Sequence, residues 1–357
     1  MTPPTAQAQD IDNTTATAQL LSQLGYLREE VTAESVSASV PSLHSAGFDS
    51  DTDGDGSLAG EQETENKEVD GQDEREAVQV QCVVRTRIPS EFGNATHSLL
   101  MYTNSEDDKE HLALVFGYAI SGPGAIYSRT LEAVRENETS RDRAIRGATP
   151  LSTSTVPITA PELNFPTSNK DTAPLARIHS CCFTGETLGS LRCDCREQLV
   201  EAMKCMSVEG RGVVLYLIQE GRGIGLKEKL RAYNLIDQGY DTREANIQLG
   251  HPADARSYRI AAAILRDLNI PSVRLLTNNP HKINSMISDG VVVSERIPMI
   301  PASWTTGILP GLEDEGANAI GSKLQDRDGY LVAKVKKMGH ILDIPSEILA
   351  GTSVARF

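Results

Sequence analysis

The chain has 357 residues, 39% of them hydrophobic, and a formal net charge of −15. That length holds one large domain or two ordinary ones, and the apolar share is low enough that part of the chain is expected not to fold. The acidity is local: residues 1–76 carry 17 Asp and Glu against three Lys and Arg, so the rest is close to neutral, which argues against nonspecific nucleic-acid binding as the main role. No apolar run approaches the length of a membrane span and no signal sequence opens the chain. A cytoplasmic, reducing setting is expected, where clustered cysteines bind metal more often than they pair as disulfides.

Residues 1–77, rich in Ser, Thr, Ala, Asp and Glu, are expected to form a disordered acidic tail. Within it, Ala18 to Leu27 is weakly helix-like. The run Asp51, Asp53, Asp55, Gly56 imitates a calcium loop, but Gln62 stands where the bidentate Glu is needed. Gln79 to Ile88, His97 to Tyr102 and His111 to Tyr118 alternate as three strands, an N-terminal β-rich part. Arg129 to Arg146 is charged and helix-like. Residues 147–174, rich in Ser, Thr, Pro and Asn, are expected to be a flexible inserted loop.

From Leu175 strands alternate with helices. Arg196 to Val208 reads as a helix with Leu199, Ala202, Met203 and Met206 on one face and Gly210 as its stop. Val213 to Ile218 is a buried strand. Leu226, Leu230, Tyr233 and Ile236 recur at helical spacing. Asp254 is placed to cap a helix burying Tyr258, Ala261, Ala262, Leu265 and Leu268. Ser272 to Leu276 is a further strand. Residues 302–327 look loop-like, Tyr330 to Leu342 helical, and 346–357 a C-terminal tail. The class is α/β: a mixed sheet core with flanking helices, which binds ligands at the carboxyl ends of its strands.

Four of the six cysteines lie between positions 181 and 195. Cys182, Cys193 and Cys195 offer soft thiolates suited to zinc. A C-x-C pair on a regular strand points its side chains to opposite faces, so the segment must turn for both to reach one metal. Three protein ligands rather than four leave a position for water, which points to an activated water nucleophile. Spacing alone leaves buried free cysteines equally open, and Cys181 is a rival ligand. Cys82 and Cys205 read as packing residues.

Glu220-Gly-Arg-Gly-Ile-Gly225 follows a strand and precedes a helix, where glycines let the backbone approach a phosphate. It matches neither the dinucleotide fingerprint nor the P-loop, and alone it reads as a turn. Residues 316–323 imitate a P-loop with Ser and Lys in the wrong order. Arg177, Arg222, Lys227, Lys229, Arg231, Arg256 and Lys282 gather around these elements. In a near-neutral domain this suits a triphosphate. Lys227 and Lys229 read more simply as solvated helix faces.

Taken together, Arg177-Ile-His-Ser-Cys-Cys182, Cys193-Asp-Cys195, Gln219-Glu-Gly-Arg-Gly-Ile-Gly-Leu226, Arg231-Ala-Tyr233, Gly250-His-Pro-Ala-Asp-Ala-Arg256 and Leu275-Leu-Thr-Asn-Asn-Pro280 resemble GTP cyclohydrolase II. The resemblance covers 78–342 apart from 147–174 and extends to Lys336-Lys-Met-Gly-His-Ile-Leu342. It implies a catalytic domain over 78–345 and a GTP-hydrolysing enzyme of riboflavin biosynthesis that opens the guanine imidazole ring. The products would be a diaminopyrimidinone ribosyl phosphate, formate and diphosphate. It further implies zinc, magnesium with the triphosphate, and a homodimer. By position, Cys182, Cys193 and Cys195 match the zinc ligands, Arg256 the nucleophile, Asp254 its base and Tyr233 a tyrosine beside the reacting ring. Arg177, Ile178, His179, Ser180, Cys181, Gln198, Glu220, Gly221, Arg222, Thr242, Thr277 and Lys282 match positions that contact GTP. Two residues depart from the family pattern: Cys181 replaces the usual Glu, and Arg196 the usual Gly. A catalytically weakened nucleotide-binding regulatory paralogue and a zinc-stabilised interaction module are the alternatives.

Overall fold

The apolar runs of the sequence become the strands of one mixed sheet. The structure, a computed structural model, describes residues 29–30, 76–92, 97–122, 124–151, 173–306 and 324–351. The helix-like stretch 18–27, the calcium-like run, the P-loop-like stretch 316–323, most of the expected acidic tail and residues 152–172 of the expected insertion lie outside the described residues.

Strands β1 (Glu29–Glu30), β2 (Val80–Ile88), β3 (His97–Asn104), β4 (His111–Phe116), β5 (Leu175–Ser180), β6 (Gly212–Leu217), β7 (Ser272–Leu276) and β8 (Val292–Ile297) line up in the order β1-β8-β7-β5-β6-β4-β3-β2. β2, β3 and β4 form an antiparallel meander, the expected β-rich part, and β4 joins β6 antiparallel. β6, β5, β7 and β8 run parallel. The parallel strands are buried along nearly their whole length, as strands covered on both faces must be, even where they carry Arg177, His179, Arg274 and Arg296. Helix Cys195–Glu209 covers one face with Ala202, Cys205 and Met206. Helix Arg259–Asp267 covers the other with Ala261, Ala262 and Leu265. The chain leaves β5 to form β6 on one side, then returns to place β7 on the other. The carboxyl ends of these three strands therefore flank a topological switch point.

Several elements differ from expectation for local reasons. The third strand stops at Phe116 because Gly117, at φ +75°, turns it away; a Cβ there would lie 2.5 Å from the Gly210 carbonyl. The stretch 129–146 splits into Arg129–Glu132 and Ser140–Ile145, each with its own cap. Ser128 accepts from the Leu131 N–H, and Thr139 forms a capping box with Asp142. Asp254 caps no helix: its carboxylate is taken by Arg256, and the helix starts at Arg259. Helix Thr242–Gln248, with an Asp241–Glu244 capping box, and helix Pro280–Ser288, capped by Asn279, were not expected. The helix expected from Tyr330 spans Gln325–Met338 and stops at Gly339 in the left-handed region; a short helix, Ser346–Gly351, follows inside the expected C-terminal tail.

Asp267, buried at the end of Arg259–Asp267, ties the meander to the parallel half. It accepts from Tyr102 Oη at 2.9 Å, Ser128 Oγ at 2.5 Å and the Thr130 N–H at 2.8 Å. Asp267→Ala leaves these buried donors without an acceptor and should destabilise the protein by about 3 kcal/mol. Urea unfolding checks this; a loss below about 0.5 kcal/mol would show that the network is dispensable.

Candidate active site and metal centre

The backbone changes course immediately after β5. The Cys181 N–H still bonds the Leu217 carbonyl at 2.9 Å, continuing the strand ladder. Cys182 then breaks into the helical turn Phe183–Glu186. Cys193 lies in the turn before helix Cys195–Glu209, so the C-x-C segment bends as one-metal binding requires. The Sγ atoms of Cys182, Cys193 and Cys195 all lie within 4.8 Å of one another, and those of Cys182 and Cys193 are 3.6 Å apart. Zinc–sulfur bonds of about 2.3 Å at tetrahedral angles put sulfurs about 3.8 Å apart, so the spacing fits zinc. Gly185 leaves the room: a Cβ there would sit 2.8 Å from Cys193 Sγ and 3.3 Å from Cys182 Sγ. Among the described residues no fourth His, Cys, Asp or Glu joins this group, Cys181 included.

Electrostatics separate the two adjacent cysteines. Hydrogen bonds from the Cys193 and Cys195 thiols, helped by the nearby Lys229 ammonium, hold Cys182 well below the ordinary thiol range. Burial, with Glu220 and Glu186 nearby, pushes Cys181 up to about 11, so it stays a neutral thiol. Lys229 Nζ donates to Cys182 Sγ at 3.2 Å and to Thr184 Oγ1 and Glu220 Oε1 at 2.8 Å each. The expectation of a solvated face holds for Lys227, 85% exposed, and fails for Lys229, 11% exposed. Cys82 and Cys205 are fully buried in the core, as expected of packing residues.

The sulfurs open on a cavity of about 540 Å³ at the carboxyl ends of β5 and β6. It is lined by Ser180, Cys181, Glu220, Gly221, Arg222, Tyr233, Thr242 and Arg256 of the sequence-derived set, together with the three metal-site cysteines. Glu220 joins its two sides, accepting from the Phe183 N–H at 2.7 Å and from Lys229. Gly221 and Arg222 both have φ near +60° (61° and 60°), and Gly223 has φ +91°. This curl brings the loop against residues 254–256. The Ala255 N–H donates to the Arg222 carbonyl at 3.0 Å, and a Cβ on Gly223 would meet the Ala255 carbonyl at 2.9 Å. Asp254 holds Arg256 through the backbone N–H at 3.0 Å and through Nε at 2.8 Å, with a further contact from the guanidinium terminus. Burial opposes both charges, but the pairing outweighs it, lowering the Asp254 pKa and raising that of Arg256.

Tyr233 Oη lies 3.3 Å from Thr184 Oγ1, and burial pushes its phenol up to about 12. Arg177, Ile178, His179, Gln198, Asp254, Thr277 and Lys282 do not line the cavity. Arg177 is buried and donates to the Leu276 carbonyl at 2.9 Å and to Gln198 Oε1. His179 bonds Glu186 at 2.8 Å and stacks on Tyr216, and burial lowers its pKa. Lys282 donates to the Ile178 carbonyl at 2.8 Å; burial, with Arg177, Arg256 and Lys334 nearby, lowers its pKa. Ile178 is buried within β5, and Thr277 is buried directly after β7. The sequence analysis missed Arg192, over the Tyr233 ring at 4.9 Å, and Tyr330, from a distant helix. No local motif marks either.

Fold and site together define an α/β protein with a candidate metal centre inside a cation-lined ligand cleft. A sequence model of GTP cyclohydrolase II matches residues 155–298. The chain is 44% identical over 288 residues to GTP cyclohydrolase-2 of Meyerozyma guilliermondii, covering 75% of this chain and 81% of that one. It is 41% identical over 302 residues to GTP cyclohydrolase-2 of Saccharomyces cerevisiae, covering 75% and 82%. It is 37% identical over 262 residues to the riboflavin biosynthesis protein RibBA of Bacillus cytotoxicus, covering 73% and 48%. The chain belongs to the GTP cyclohydrolase II family. No helix among the described residues is long and apolar enough to cross a membrane.

If the three sulfurs hold metal, Gly185→Ala should lower zinc affinity about tenfold or more, because the new methyl group displaces Cys193 Sγ. Zinc content after equilibration with a chelator checks this. A folded variant with wild-type zinc content would remove the metal assignment from these cysteines.

Proposed function

We propose that residues 78–345 form a catalytic domain that hydrolyses GTP, opens the imidazole ring of its guanine and releases formate and diphosphate, an entry step to riboflavin. The observation that carries this reading is a three-sulfur cluster opening on the same cavity as Arg222, Arg256 and Tyr233. Zinc held by Cys182, Cys193 and Cys195 supplies Lewis acidity that makes water a nucleophile near neutral pH. Magnesium accompanies the triphosphate, and the assembly is a homodimer, as the family resemblance implies.

The protein's own groups divide the remaining work. Arg222 and the curled backbone at Gly221 receive the phosphates, with Thr242 on the cavity wall. Arg177, Thr277 and Lys282 are buried outside the cavity lining, with half-buried Gln198 bonded to Arg177. The Arg177 guanidinium adds positive potential that favours a polyanion in the cavity. Arg256 rests as a cation paired with Asp254. In the step that the family resemblance implies, a guanidinium nitrogen would bond the α-phosphorus as its proton passes to Asp254 and the bond to the diphosphate leaving group breaks; water would later cleave the phosphorus–nitrogen bond and Asp254 would return the proton. Tyr233, a neutral phenol, donates a hydrogen bond or proton beside the purine. Neutral Cys181 lines the cavity at the position where the family resemblance implies a carboxylate. The reading of a closed four-ligand zinc module is disfavoured by the absence of Cys181 from the sulfur cluster.

Purified zinc-loaded protein should release formate and diphosphate from GTP. Cys182→Ser should lower formate release at least about 100-fold, the loss expected when several kcal/mol of metal assistance vanish. Coupled assays of the two products check this. Wild-type protein that binds GTP and yields neither product would overturn the reading in favour of the regulatory paralogue.

A further inference from the structure

Helix Gln325–Met338 lies beyond the matched stretch 155–298, yet it walls the cavity with Tyr330. Three polar anchors fasten it to elements that carry the site. Arg327, fully buried, donates to Glu197 Oε1 and Ser303 Oγ at 2.6 Å each, and Glu197 sits two residues after Cys195. Lys337 donates at 3.0 Å to Asp241, the cap of the helix carrying Thr242. Between these, Lys334 Nζ donates at 3.1 Å to Oδ1 of Asp194, the residue separating Cys193 from Cys195.

Asp194 occupies the position before the first turn of helix Cys195–Glu209, where an aspartate normally caps the free N–H groups. Its side chain makes no such bond. Instead Oδ1 faces Lys334, and Oδ2 accepts from Gln198 Nε2 at 2.6 Å. Gln198 Oε1 in turn accepts from the Arg177 guanidinium. The Asp194 side chain is 1% exposed and that of Lys334 12%, so removing the ammonium would strand a buried carboxylate. The carboxylate would then turn towards the helix N–H groups or towards water, and the backbone between the two cysteines would move with it.

We propose that Lys334 is a positioning residue for the three-sulfur centre. By neutralising Asp194 it fixes the bend that aims Cys193 and Cys195 at one point, and through Gln198 it sets the guanidinium of Arg177. This rests on the zinc reading of the same site. It adds a requirement for the C-terminal helix that the cysteine motif does not contain.

The test uses the full chain, loaded with zinc or with cobalt(II) as a spectroscopic substitute, and needs no turnover. Lys334→Met should pass zinc to a chelator about tenfold faster than wild type and alter the cobalt–thiolate absorption; Lys334→Arg should restore both. A folded Lys334→Met with wild-type zinc release and cobalt spectrum overturns the proposal. Should Lys334→Met fail to fold, Asp194→Asn reads the same contact: faster zinc release supports the proposal, and wild-type release overturns it. Wild-type protein that holds zinc but leaves GTP intact would sink the proposed reaction while leaving the role of Lys334 standing.

Discussion

The arrangement of the site depends on bringing three sulfurs together without a disulfide. Thiolates repel one another, and their convergence must be compensated by positive charge. Lys229 supplies part of it directly, with an ammonium 3.2 Å from Cys182 Sγ. A metal ion would supply the rest. Much around the cluster can be understood as the means of holding this convergence. Gly185 keeps the volume open, Glu220 fixes Lys229 from the other side, and Thr184 joins the lysine to Tyr233.

The fold makes this possible because the connections from β5 run to β6 on one side and then back to β7 on the other. Two strand ends therefore offer loops to one crevice, Cys181–Cys182 after β5 and Gln219–Arg222 after β6, while Thr277 after β7 stays buried outside its lining. The meander β2–β4 contributes none of the lining residues. It extends the sheet and buries the far side of helix Arg259–Asp267 through Asp267, a support rather than a participant. The helices missed in the sequence, Thr242–Gln248 and Pro280–Ser288, both follow an Asp or Asn whose side chain caps them, and Thr242 and Lys282 owe their positions to those caps.

The alternation of strands and helices and the core face of helix Cys195–Glu209 are legible in the sequence because each is a local periodicity. The N-terminal meander is legible for the same reason. Spacing alone leaves the cysteines open, and the three-sulfur group rests on the family resemblance until the fold brings the three together. Asp254 was misread as a helix cap because sequence shows that a carboxylate suits a cap, not that a guanidinium two residues on would claim it. Lys229 reads as a solvated residue in the sequence because its helix has an exposed face. Only the turn after β5 reveals that this lysine faces inward, toward Cys182. Tyr330, Lys334 and Asp194 meet across about 140 residues of chain, and no local pattern encodes that encounter.

The contact between Gly223 and Ala255 has a consequence for how the cleft can evolve. Backbone touches backbone there, with a hydrogen bond from the Ala255 N–H to the Arg222 carbonyl and no space for a methyl group. The anchor of Arg256 and the anion-receiving curl are thus riveted together independently of any side chain in the cavity. Substitutions along the wall would retune charge and shape locally, while this main-chain junction keeps the arginine in register with the loop beside it.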